Sequence, residues 1–313
     1  MPVKMPAENI FCPFLLCAQN HDGGWGYQPG SPSCTEPTCW TLLALIGLSS
    51  NEVHGKAIAS GCEWLLRTQL SDGSWPPMRG QETGSSVTSL ACLVLLQRQV
   101  LSDQLTKGVR WISQAWPAEG TMAWRIRRLI SREKDPVRQD HSLRGWSWTP
   151  GTSSWVVPTS HAVILLRHLP ERFQSPLTMR RRRLAEAMLC DRACPGGGWN
   201  CGNPVVYGVP GEPQVEPTVW ALLALGDSRP EVRAGLDWLG RTYETISGAA
   251  SLALAHLCLT CYGKPTPPVQ PRLMNLHERE RFLDNVVTTA WAVMALEAPP
   301  CWARTRSDAP ENR

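Results

Sequence analysis

The sequence predicts an all-α fold, an (α/α)6 toroid in which about six apolar inner helices are ringed by six amphipathic outer ones. Three observations point there. An apolar segment of about ten residues recurs along the chain, segments with one polar side alternate with it, and no run of strand-like alternation competes.

The recurrence is clearest in "EPTCWTLLAL" (Glu36–Leu45) and "EPTVWALLAL" (Glu216–Leu225), identical at eight of ten positions. Further copies are "SVTSLACLVLL" (Ser86–Leu96), "VPTSHAVILL" (Val157–Leu166), "ISGAASLALAHL" (Ile246–Leu257) and "TTAWAVMAL" (Thr288–Leu296). Each is apolar nearly all round, as a helix buried on every side must be. Pro37, Pro158 and Pro217 fall in the first helical turn, where a missing N–H costs nothing. Between the copies, "AIASGCEWLLRTQL" (Ala57–Leu70), "LTKGVRWISQAW" (Leu105–Trp116), "RRRRLAEAMLCDRAC" (Arg180–Cys194) and "EVRAGLDWLGRTY" (Glu231–Tyr243) set apolar residues at helical spacing with charges opposite. The "RRRR" run (Arg180–Arg183) reads as a solvent face, and the last outer helix is placed near Leu273–Leu283. The repeats make residues 1–297 one domain with a basic insertion at 117–150, followed by a polar, Pro-containing tail at 298–313 expected to be disordered.

Composition narrows the function. A net charge of +4 over 313 residues gives no dense basic face, so nucleic acid is not an expected partner. No apolar run spans a bilayer, and the N-terminus lacks the pattern of a cleaved leader, so a cytoplasmic location is expected. The twelve cysteines are spread along the chain and read mostly as small buried apolar residues. The 15 Trp against 4 Tyr and 4 Phe imply that a repeated motif calls for indole rings.

That motif is a spacing. "FLLCAQNHDGGW" (Phe14–Trp25) and "WLLRTQLSDGSW" (Trp64–Trp75) both run aromatic, Leu, three residues, Gln, three residues, Gly, any residue, Trp. "GWSW" (Gly145–Trp148) and "GGGWNCG" (Gly196–Gly202) look like degenerate copies. The spacing resembles the Gln–Trp repeat of squalene-hopene cyclases and related terpenoid cyclases. The Pro-Thr-x-Trp helices resemble inner-barrel helices of the same superfamily, which includes the protein prenyltransferases. The resemblance covers one toroid, about half of a squalene cyclase. It implies that Gln19 bonds the next helix and lies against Trp25, a joint and not a site. Asp22 has a twin at Asp72 in the same frame, which is turn chemistry.

Site residues follow from the same comparison. Class II cyclases protonate an alkene through an Asp-x-Asp-Asp-Thr motif at the start of an inner helix, where neighbouring carboxyls hold one proton poised. Aligned on the Thr, Glu36 or Glu216 takes the place of the middle acid, Pro replaces the last, and Asp284 is a third acid at a different offset. These three are the candidate catalytic groups, and Glu36 and Glu216 equally suit the positive end of a helix dipole. Trp40, Trp220 and Trp291, with His161 at the same position of a fourth repeat, are the candidate substrate-binding groups. They line the lumen if that position faces inward and pack against the outer layer if it does not. The zinc set of prenyltransferases is not matched by Cys39 and His161, and the pair Cys258 and Cys261 has no matching second pair, so no metal or cofactor is expected.

The expected function is binding or conversion of an apolar isoprenoid-like small molecule in the toroid. Two alternatives stand beside it: a non-catalytic scaffold for a protein partner, and an α/α-toroid carbohydrate-active enzyme with two carboxylates flanking one bond. The basic segment Arg125–Arg144 adds a peripheral membrane contact or an anionic ligand as a further possibility. An open apolar lumen favours chemistry and a filled one favours the scaffold.

Overall fold

The computed structural model describes residues 11–48, 52–100, 102–130, 137–226, 228–297 and 300–303. The helices in chain order are α1 (Cys12–Cys17), α2 (Thr35–Ile46), α3 (Glu52–Thr68), α4 (Val87–Gln97), α5 (Asp103–Gln114), α6 (Met122–Ile130) and α7 (Val156–His168). They continue as α8 (Pro176–Asp191), α9 (Val215–Leu225), α10 (Pro230–Thr242), α11 (Ala249–Cys261), α12 (Val269–Glu280) and α13 (Val286–Leu296). A short antiparallel hairpin, β1 (Val205–Val206) and β2 (Val209–Pro210), interrupts the series.

The apolar helices α2, α4, α7, α9, α11 and α13 pack each on the next, and α13 returns to α2, closing a ring of six. Their all-round apolar surface is accounted for by neighbours on both sides, an outer helix behind and the ring axis in front. The amphipathic α3, α5, α8, α10 and α12 each back the inner helix before them, and α1 covers α13. The first described helix therefore completes the outer layer behind the last inner one.

One set of hydrogen bonds holds four of the six inner N-termini on the same face. Thr35 N donates to Pro77 O at 2.9 Å, Ser86 N to Trp148 O at 3.0 Å, Val156 N to Cys201 O at 3.0 Å, and Val286 N to Tyr27 O at 2.9 Å. Each bond joins one repeat to the loop of a neighbour and satisfies a donor that a helix end leaves open.

The Gln–Trp motif is a joint. Gln19 Nε2 donates to Gly23 O at 2.8 Å and to Ala57 O of α3 at 2.9 Å, and Gln69 Nε2 repeats this with Gly73 O and Gln104 O at 2.8 Å each. The indole N–H of Trp25, Trp75 and Trp199 donates to Leu15 O, Leu65 O and Leu189 O at 2.7, 2.8 and 2.6 Å. Trp146 donates to Ile112 O at 2.9 Å. Behind each Trp stands the Thr of the next inner helix: Thr38, Thr88, Thr159 and Thr218 accept from the backbone N–H of Trp25, Trp75, Trp146 and Trp199 at 2.8–2.9 Å. Asp22 and Asp72 are spent on the turns, accepting from Gly24 N and Ser74 N and from the indoles of Trp64 and Trp111.

Several expectations need correction. The fifth inner helix begins at Ala249, three residues later than read, because the chain around Ile246 closes the preceding turn. The last outer helix ends at Glu280, since Arg281–Asp284 turn left-handed with φ between 47° and 56°. Arg181 of the "RRRR" run is fully buried on α8 and not on a solvent face. Its guanidinium lies 3.9 Å from the Trp116 ring centre and 4.2 Å from that of Trp146, and Nη2 donates to Ala115 O and Gly145 O. Two indole faces and two carbonyls offset the loss of water that normally keeps arginine outside. Of the tail expected to be disordered, Cys301–Ala303 instead form a turn with Trp302 buried, because covering an indole offsets the entropy of ordering so short a segment. Residues 298, 299 and 304–313 lie outside the described residues, as do 131–136 of the basic insertion.

Candidate functional site

The ring axis is occupied by aromatic side chains. Trp40 of α2 and Trp220 of α9 come from opposite sides of the ring and stack at 4.9 Å with a 22° interplanar angle. His161 of α7 stands edge-on to both, at 5.5 and 4.8 Å. Trp291 of α13 meets them at 5.8 and 6.2 Å. Rings from helices three places apart can touch only at the axis, so the position shared by the repeats faces the lumen and not the outer layer. The structure thus brings all four expected binding residues together.

A fifth ring comes from outside the repeats. Trp302 enters from the face where the inner helices end and lies 6.2 and 6.4 Å from Trp40 and Trp220. Sequence reasoning missed it, since nothing local distinguishes this indole from a surface residue of a polar tail. All five side chains are at most 8% exposed, so at this level the lumen is filled by the protein itself.

On the other face, at the N-termini of α2 and α9, Glu36 and Glu216 stand one turn before Trp40 and Trp220. Their duplication places them across the axis from each other, and the charge of Glu36 raises the pKa of Glu216. Burial is the larger cause of that shift, and the Trp220 indole partly opposes it. The Trp220 N–H faces this carboxyl without closing a well-formed hydrogen bond. Glu216 is nevertheless exposed to water, which fits a side chain crowded by a concave mouth. Tyr27 Oη donates to Glu36 Oε2 in a short contact, and the phenol pKa is raised by burial and by the Glu36 charge. Asp284 sits in the left-handed turn before α13 and is drawn to Arg281 at 3.3 Å. The segment carrying it docks on the Tyr27 loop through Gln28 Nε2, which donates to Leu283 O at 3.3 Å.

These environments fix what the groups can do. Burial lowers the pKa of His161 to about 3, so the imidazole is neutral at physiological pH. A donor to an alkene must be a strong acid, and Glu216 is shifted the opposite way, toward holding its proton. The arrangement is a packed cluster of aromatic rings beneath two carboxyls, one of which raises the pKa of the other. Cys39 and Cys258, weighed as metal ligands, are buried with thiols pushed well up by burial, which opposes the thiolate a metal requires. Among the described residues no group of three or more His, Cys, Asp or Glu is placed to hold a metal ion. No helix among them is long and apolar enough to cross a membrane.

Away from the axis, a cavity of about 200 Å³ opens between the start of α4 and the end of α5, walled by Trp111, Trp116, Trp146 and Trp148. On α6, Met122, Ile126 and Ile130 follow one another by a helical turn and are each more than half exposed.

Comparison with known proteins places this architecture. No family model matches the chain. The squalene–hopene cyclase of Bradyrhizobium diazoefficiens is 38% identical over 82 residues, which are 23% of this chain and 12% of that one. Human lanosterol synthase is 31% identical over 93 residues, 26% of this chain and 12% of that one. The matched stretch spans about an eighth of the length of these curated relatives. Among solved structures, a variant of the type II terpene cyclase MstE from Scytonema, in complex with its substrate geranylgeranyl dihydroxybenzoate, aligns over 93% of this chain and 95% of its own. The TM-score is 0.59 at 16% identity. An α-amylase from Clostridium perfringens has the same fold with TM-score 0.59 at 8% identity, covering 94% of this chain and 98% of its own. The described residues form an α/α toroid with the fold of these solved structures, and the chain is similar to the two cyclases over the matched stretches.

Proposed function

We propose that this terpenoid-cyclase-like chain binds an apolar isoprenoid-type small molecule in the lumen of its toroid, beneath the Glu36–Glu216 pair. The observation that carries this reading is the convergence of Trp40, His161, Trp220 and Trp291 on the axis. Indole faces offer a large apolar area and attract positive charge, which suits a branched polyene and any cationic form of it. The local likeness to squalene–hopene cyclase and the shared fold with MstE support the same ligand class. If the ligand is converted, Glu216 is the acid over the lumen, its pKa raised by burial and by the charge of Glu36, which in turn accepts from Tyr27.

The test is lipid analysis of the purified full chain together with turnover assays on polyprenyl and triterpene substrates. The reading expects an isoprenoid to copurify or to bind, and Glu216→Gln to abolish any conversion without abolishing binding. Failure to bind any isoprenoid would refute it.

The filled lumen favours a second reading, a scaffold that meets a protein or a membrane surface through the exposed Met122, Ile126 and Ile130 of α6. In that case Glu36→Gln and Glu216→Gln leave the cellular role intact and changes in α6 do not. The carbohydrate-enzyme alternative has fold likeness behind it, and fold alone does not carry function. It needs a groove between two acids, whereas aromatic rings close the axis one turn below Glu36 and Glu216.

A further inference from the structure

Ten of the indoles fall into two groups that differ in one respect. Trp25, Trp64, Trp75, Trp111, Trp146 and Trp199 each donate their N–H to a carbonyl or a carboxylate at 2.6–3.1 Å. The N–H groups of Trp40, Trp291 and Trp302, together with Nε2 of His161, are buried with no hydrogen-bond partner, and the Trp220 N–H, facing the Glu216 carboxyl, closes no well-formed bond. An orphaned buried donor is expensive, and native proteins contain few of them. Here four orphaned nitrogens sit on side chains in mutual ring contact on one axis, in a protein that satisfies its other buried indoles.

We infer that the lumen takes a neutral ligand with hydrogen-bond acceptor oxygens on its apolar body, and that the tail's Trp302 indole stands where part of that ligand goes. The inference rests on the lumen-binding reading above and sharpens it. An indole nitrogen only donates, so what completes it must accept. A pure hydrocarbon leaves these donors unsatisfied; a hydroxyl, ester, ether or ketone oxygen does not. The neutral imidazole of His161 serves the same oxygen as a donor in one tautomer. The carboxyls of Glu36 and Glu216 at the mouth oppose an anionic ligand and leave neutral acceptors as the matching class.

Trp302 is suited to give way because the ring does not depend on it for closure. It is borne on a single turn, Cys301–Ala303, outside the six repeats. Ala303 N donates to Pro300 O at 2.9 Å within the turn, and its tethers to the ring include Cys301 Sγ to Gln97 Oε1 at 2.7 Å and packing against α7. Withdrawal of that turn leaves every inner-to-inner contact of the toroid in place.

The experiment uses the full chain and two probes that share one isoprenoid skeleton, farnesyl acetate with acceptor oxygens and farnesene without. Affinities are measured for wild type, Trp302→Ala and Trp302→Phe, and the indole N–H resonances are followed by ¹⁵N NMR. Trp302→Ala is expected to bind farnesyl acetate about tenfold more tightly than wild type does, and about tenfold more tightly than it binds farnesene. The Trp40, Trp220 and Trp291 N–H signals should shift with the acetate only, while those of Trp25, Trp75 and Trp199 stay fixed. Equal affinity for both probes overturns the acceptor requirement and leaves the lumen reading standing. If Trp302→Ala keeps the wild-type near-ultraviolet dichroism and binds neither probe, both fall. Should Trp302→Ala fail to fold, Trp302→Phe carries the comparison with its smaller ring, and binding no tighter than wild type overturns the place-holding role.

Discussion

Trp199 and Trp220 are both fully buried, nineteen residues before and two residues after the same Thr218 latch. The first ties an outer helix to its neighbour through Leu189 O; the second faces the axis, its N–H opposite Glu216. Burial alone therefore does not tell a joint from a site. What separates them is whether the polar atom of the ring has been given a partner. The joints recur with the repeat because each solves the same packing problem. The axis rings meet across it, and only there do side chains from every side of the toroid come within reach.

The contrast can be broken by measuring what each class costs to remove. Trp199→Phe leaves a cavity and strands the Leu189 carbonyl, so a loss of about 3 kcal/mol is expected, against about 1 kcal/mol for Trp220→Phe. Urea unfolding of both variants gives the comparison, and equal losses would erase the distinction. The next effect concerns His161, whose pKa is about 3 when folded and near 6.5 when unfolded. The unfolded chain binds more protons between those values, so stability is full above pH 6.5 and falls as the pH drops toward 3. By pH 4.5 this group alone should withdraw about 3 kcal/mol, and His161→Phe should flatten the dependence of melting temperature on pH. Thr38→Val removes one latch and should cost about 1–2 kcal/mol by the same unfolding assay. The smallest effect is at Glu216, which water still reaches. Its raised pKa means the folded chain holds the proton longer, so stability falls as pH rises above the ordinary carboxyl value. Glu216→Gln should remove that decline, which paired melting curves at pH 5 and pH 7 would detect.

Much of the fold is legible in the sequence for a physical reason. Six buried helices need six apolar segments, and a repeated joint needs a repeated spacing, so Glu36–Leu45, Glu216–Leu225 and the Gln–Trp stretches announce themselves. The site is only half legible. That Trp40, His161, Trp220 and Trp291 are equivalent can be read by alignment, but a helix apolar on every side has no moment to say which residue faces the axis. Trp302 and Arg181 are illegible for a different reason. Each is buried by distant partners, rings of α2 and α9 for one and Trp116 and Trp146 for the other, and nothing beside them in the chain distinguishes them from solvated neighbours.

The Trp–Thr latch has one more consequence. Three of the four latches span thirteen residues and the fourth spans nineteen, and the six extra residues match the hairpin Val205–Pro210. Both ends of each span are pinned to the same pair of backbone atoms whatever runs between them. The mouth face thus works like a row of sockets of fixed gauge, into which peptide of differing length can be fitted while the ring beneath keeps its register. Grafting a foreign loop between Gln28 and Ser31 or between Met78 and Gly84, which spares the Tyr27 and Pro77 carbonyls that hold α13 and α2, should leave the toroid intact, and that part of the entrance is open to redesign.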